Sequence, residues 1–154
     1  MKKITLYAAL ASIFFLNVAS MCSSDDDSSS STDFTPIINT VSQGTWRVTS
    51  FIDSDVDETN HFSGYDFTFI SSNGKLIASN TANTYNGLWS VTKDDSNDDN
   101  PSNDIDFNIS FSSPANFVDL TDDWNIISRT DTKIQLISVS GGGGGTDYLT
   151  FEKN

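Results

Sequence analysis

The sequence predicts an all-β domain, an eight-stranded antiparallel up-and-down barrel. Three observations carry that expectation. From about residue 36 onward apolar residues alternate with polar ones at period two, and a helical period is nearly absent. Eight such stretches can be delimited, and most of their connections are short, which favours neighbours in a meander. Closing eight strands into a barrel leaves no edge exposed. A two-sheet β-sandwich is the alternative arrangement.

The first strand is expected over 45–53, where Trp46 and Val48 alternate with Arg47 and Thr49. Tyr65, Phe67 and Phe69 alternate with Asp66 and Thr68 in the second, 64–71. The third, 75–83, follows Asn73-Gly74, a dipeptide suited to a two-residue hairpin. Trp89 and Val91 flank Ser90 in the fourth, 87–93. The fifth, 104–112, is the clearest: Ile105, Phe107, Ile109 and Phe111 alternate with Asp106, Asn108 and Ser110. Trp124 and Ile126 mark the sixth, 124–130, and Ile134 and Leu136 the seventh, 133–140, with Asp131-Thr132 turning between them. Leu149 and Phe151 mark the last, 147–153. The long connection from Ser112 to Asp123 holds Pro114, then Phe117, Val118 and Leu120, and is expected to form one helical turn that plugs an end of the fold.

Upstream the chain changes character. Lys2 and Lys3 precede a mainly apolar run from Ile4 to Val18. That run is too short to span a bilayer and has the layout of a secretory signal peptide over residues 1–21. Cys22 is the only cysteine, so no disulfide is expected within one chain. Residues 22–35 are rich in Ser and Asp and cannot bury enough surface to offset their chain entropy, so they read as a disordered acidic tether. The folded domain is expected over 36–154.

Charge narrows the partners. The full chain carries −13, and loss of Lys2 and Lys3 with the signal leaves six basic residues against 21 acidic ones, a net charge of −15. Nucleic acid is excluded on that ground, because its backbone needs Lys and Arg. Direct adhesion to anionic headgroups is excluded likewise. Membrane attachment would come from acyl chains, several of which anchor stably at about 0.8 kcal/mol per buried CH₂.

The residues for catalysis are sparse. His61 is the sole histidine, no Ser or Cys has a base beside it in sequence, and a His/Cys set for zinc is absent. The chain is expected to be no enzyme and to carry no cofactor. Asp53, Asp55 and Asp57 have the alternate spacing that can gather carboxylates on calcium, but Glu58 stands where an EF-hand loop has Gly. The Asp- and Asn-rich connection 94–104 is a second acidic loop without defined spacing. For both, a solvated hairpin loop is the plain reading. Gly141 to Gly145 precede a strand, not a helix, and so read as a hairpin tip, not a phosphate cradle. The inward strand faces carry Tyr65, Phe67, Phe69, Trp89, Phe107 and Trp124. Those rings either line a pocket for a small apolar or amphipathic ligand or fill the interior, and sequence leaves the two open.

Two stretches resemble known families. The apolar run ending at Cys22 resembles a bacterial lipoprotein signal, which implies lipidation of Cys22 and a place on the outer membrane. Ordinary cleavage after Ser20 is the other reading of Val18-Ala19-Ser20. The run Asp25-Asp26-Asp27 resembles the Ser- and Asp-rich signal that sends some lipoproteins to the cell surface. Gly44-Thr45-Trp46, preceded by a possible turn over 37–42, resembles the Gly-x-Trp of lipocalins, and residues 36–154 look like the lipocalin-like domains of bacterial lipoproteins. The resemblance implies a ligand-binding barrel in which a basic residue near the last strand, here Lys153, packs over Trp46. The alternative function is a surface interaction or structural protein with a filled barrel and acidic loops; no protein partner is identified by the sequence.

Overall fold

The computed structural model describes residues 33–93, 105–140 and 145–154. The expected signal peptide over residues 1–21, Cys22, Asp25 to Asp27, the acidic connection 94–104 and Gly141 to Gly144 lie outside the described residues. In chain order the elements are α1 (Thr35–Val41), β1 (Trp46–Asp53), β2 (Val56–Asp57), a 3-10 turn (Thr59–Phe62), β3 (Asp66–Ile70), β4 (Lys75–Ser79), β5 (Thr84–Lys93), β6 (Ile105–Phe111), α2 (Ala115–Val118), β7 (Asp122–Arg129), β8 (Lys133–Val139) and β9 (Thr146–Lys153).

Each strand from β3 to β9 pairs antiparallel with the next, and β9 pairs with β1. A single pair, Trp46↔Phe67, joins β1 to β3 and completes the ring. The result is the expected closed eight-stranded up-and-down barrel, with β2 added as a short hairpin partner of β1. The sandwich alternative is excluded by the closure.

Local chemistry shifts some strand ends. The third expected strand stops at Ser79, because the Asn80 carboxamide oxygen accepts from Ala82 N at 2.9 Å and Asn83 N at 2.7 Å and turns the chain. The next strand then starts early, at Thr84. The β3–β4 hairpin is also not the two-residue turn suggested by Asn73-Gly74. Ile70 pairs with Lys75, so the loop has four residues, Ser71 to Gly74. Gly74 supplies its left-handed residue (φ 65°), and Asn73 Oδ1 accepts from Lys75 N at 3.1 Å.

Alternation places one apolar face of every strand inside. Trp46, Phe67, Leu76, Phe107, Ile134, Leu149 and Phe151 are fully buried. Antiparallel order also gives the barrel two distinct ends. At the first, α1 buries Ile37 and Val41, and Arg129 donates to Pro36 O and to Thr40 Oγ1, tying β7 to the helix. At the second, the 3-10 turn and α2 bring Phe62 and Phe117 inward. Among the described residues no helix is long and apolar enough to cross a membrane.

Candidate functional site

The six rings singled out as possible pocket lining are all buried inside the barrel. They touch one another and their neighbours. Phe69 meets Trp89, Phe107 and Phe151 at centroid distances of 5.4, 5.7 and 5.5 Å. Trp124 meets Phe51 at 6.4 Å. Towards the α2 end Phe117 meets Phe62 at 5.3 Å, Tyr65 at 5.1 Å, Phe67 at 6.0 Å, Tyr85 at 4.8 Å and Phe111 at 5.3 Å. Most are edge-to-face, the geometry that aromatic quadrupoles favour.

The polar handles of these rings are engaged within the fold. The indole N–H groups of Trp46, Trp89 and Trp124 donate to the carbonyls of Val41 (2.9 Å), Ile70 (3.4 Å) and Leu120 (3.0 Å). The Tyr65 hydroxyl accepts from Asn83 Nδ2 at 3.4 Å. Its hydrogen bond with Tyr85 is the main cause that holds the Tyr85 hydroxyl above its ordinary value, with burial second. Trp89 also borders a concavity of about 220 Å³ at the α1 end, between Ile38 of α1, the β3–β4 turn and β5. A second concavity, about 310 Å³, runs beside the exposed Leu88 between β5, β6 and the β3–β4 turn, with Trp89 again in its lining.

At the α1 end Gly44 adopts φ 77°, a conformation glycine takes readily. A Cβ there would sit 3.5 Å from Lys153 Cε. The Lys153 ammonium lies 5.0 Å from the centre of the Trp46 ring, within cation–π range. Gly44, Trp46 and Lys153 are thus brought together, and their work is to fasten α1 and β9 to the start of β1.

The triad Asp53, Asp55 and Asp57 is arranged otherwise. Asp53 pairs with Val56, leaving Ser54 (φ 47°) and Asp55 (φ 71°) as a two-residue hairpin turn. Asp57 Oδ1 accepts from Thr59 N at 3.0 Å, and hydrogen bonding from Thr59 holds its carboxyl below the usual value. The hairpin tip is held by a carboxylate that the sequence reading did not single out. Asp147 Oδ1 on β9 accepts from Ser54 N at 2.8 Å. The alternate spacing therefore builds a hairpin, and no group of three His, Cys, Asp or Glu residues that could hold a metal occurs among the described residues. His61 Nδ1 lies 2.9 Å from Glu58 Oε2 on the exposed 3-10 turn.

Charge is divided between the two ends. Arg47 is near the start of β1, Lys75 and Lys133 begin β4 and β8, and Lys93, Arg129 and Lys153 end β5, β7 and β9. Up-and-down order puts all of these at the α1 end. The α2 end carries Asp53, Asp55, Asp57 and Glu58 on the β1–β3 connection, Asp119, Asp122 and Asp123 around α2, and Asp147 on β9. No Lys or Arg falls there among the described residues.

These features define a class: a closed β-barrel domain with a network of aromatic side chains buried inside it. No family model, no curated protein and no solved structure matches the chain.

Proposed function

We propose that this chain is a lipid-anchored outer-membrane lipoprotein whose lipocalin-like barrel is a filled, non-catalytic module that acts through its outer surface. The observation that carries the reading is the ring network. A pocket needs unoccupied apolar wall, and here the candidate wall residues are in contact with other rings, with Phe62 and Phe117 closing the network at the α2 end. The anchor rests on the sequence: an apolar stretch, then Cys22, then Ser and Asp.

Two measurements test this. Titration with dodecanoate, followed by tryptophan emission, is expected to give no saturable change. A one-site response abolished by Trp89→Ala would overturn the filled barrel and restore a small apolar ligand. Cys22→Ala is expected to release the protein from membranes, and mass spectrometry of the wild-type N-terminus is expected to find an acylated Cys22. An unmodified chain beginning at Met21 would overturn the anchor.

A further inference from the structure

The outer wall formed by β2, β1, β9 and β8 differs from the rest of the α2 end. Across it Asp57, Ile52, Tyr148 and Ile137 stand directly opposite one another in successive strands. Directly paired residues point to the same face of a sheet. Ile52, Tyr148 and Ile137 therefore form an outward apolar row, with Asp57 at one end. Val139, two residues beyond Ile137 on the same face, is 68% exposed, and Tyr148 is 44% exposed.

We propose that this face docks a polypeptide segment in which Lys or Arg side chains flank an apolar stripe. The proposal rests on the reading that the outer surface does the work. Charge selects the occupant. The apolar row is flanked by Asp57 and, at the hairpin tip, Asp55 on one side and by Asp123, which precedes the inward Trp124, on the other, and no Lys or Arg lies at this end among the described residues. An acidic or neutral segment gains nothing from that rim, whereas a cationic one is steered onto it and held by the central apolar contacts. A second copy of the chain would have to present its own α1 end, where four of the six cations are already engaged within the fold: Lys133 with Glu152, Arg47 with Asp66, Lys153 over Trp46 and Arg129 with α1. This face lies at the end of the barrel opposite α1.

The test uses the full chain carrying Cys22→Ala, which needs no detergent, and two labelled peptides of equal length and charge at 0.15 M salt. One alternates Lys with Val and the other alternates Lys with Ser. The Lys–Val peptide is expected to bind about tenfold more tightly by fluorescence anisotropy, and the double variant Val139→Ser/Tyr148→Ser to remove that advantage. Asp55→Asn/Asp57→Asn should weaken binding several-fold. Asp33→Asn/Asp131→Asn, an equal charge change at the α1 end, should alter it by less than about twofold. Val139→Thr, which keeps β-propensity, supplies a second variant if the serines unfold the protein. Equal weakening by the two charge pairs would reduce the effect to net charge and overturn the proposal. So would indifference to the Val139 and Tyr148 changes, or self-association that those changes abolish. Failure of the filled-barrel reading is seen separately, in the dodecanoate titration.

Discussion

Replacing Phe117 with Ala puts the filled interior to its hardest test. Phe117 is fully buried and is the ring that α2 lowers into the barrel, in contact with Phe62, Tyr65, Phe67, Tyr85 and Phe111. Truncating a buried Phe costs about 3–5 kcal/mol, the upper part of the range applying where the surroundings cannot collapse. Here the neighbours sit on the 3-10 turn and on β3, β5 and β6, so no single element can move in to fill the space. For a domain of this size that loss corresponds to a fall in Tm of about 10–20 °C. Urea unfolding followed by tryptophan emission reads it directly, and the midpoint should drop while the slope stays constant. The cavity left behind would be lined by apolar rings, and such cavities remain dry and accept small aromatics. Benzene should therefore raise the Tm of the Phe117→Ala protein by mass action and leave the wild type unchanged. A loss below about 1 kcal/mol, or an equal benzene response in both proteins, would refute the reasoning, because it would mean that space was already present around the plug.

Other expectations follow from particular contacts. Trp46→Ala should cost about 3–5 kcal/mol, and Trp46→Phe about 1–3 kcal/mol, because the latter mainly leaves the Val41 carbonyl without its indole donor; urea titration checks both. A Cβ at Gly145 would lie 2.6 Å from Ser54 Cβ and 2.8 Å from Ser54 Cα. Gly145→Ala should therefore destabilise by about 1–3 kcal/mol, and Ser54→Gly, which removes the side chain but not the backbone contact, should restore only part of that loss in a double-mutant cycle. The Asp57 carboxyl is lowered by Thr59, so the fold favours its charged form. Its contribution is present at neutral pH and is lost as pH falls from about 3.9 through the folded-state value. Asp57→Asn should flatten the acid limb of a plot of urea midpoint against pH below about 4, and an unchanged limb would contradict the assignment.

The barrel was legible because its strands are amphipathic at period two and their inward residues are large. Ile105 to Phe111 could be read without a neighbour in view, and it is β6 as observed. What escaped was decided by contacts distant in sequence or by side chains turning on the backbone. The polar stretch Val56 to Phe62 has no period. It becomes a strand and a 3-10 turn because Thr59 Oγ1 accepts from Phe51 N at 2.8 Å and Phe62 has an aromatic well to enter. Asn80 ended a strand through its carboxamide, and Asp147 found Ser54 across 93 positions of sequence. The candidate rings were visible as inward residues. Whether they lined space or filled it depended on Phe62 and Phe117, which lie outside the strands, and pairwise ring contacts leave no period in a sequence.

The single rung between β1 and β3 gives the ring of strands an unequal perimeter. Elsewhere adjacent strands share a ladder, and β1 is held to β9 from Trp46↔Lys153 to Ile52↔Tyr148. Beside β3, beyond Trp46↔Phe67, the β1 backbone is served instead by Thr59 and by Glu58 N, which donates to Phe51 O at 2.9 Å. Segments with few backbone bonds open first in the native state. Amide exchange with deuterium should therefore begin along this seam, ahead of β8 and β9. In refolding the meander from β3 to β9 can assemble through local hairpins. The staple of β1 onto β9 must wait for chain ends about a hundred residues apart to meet, which is the slow kind of contact.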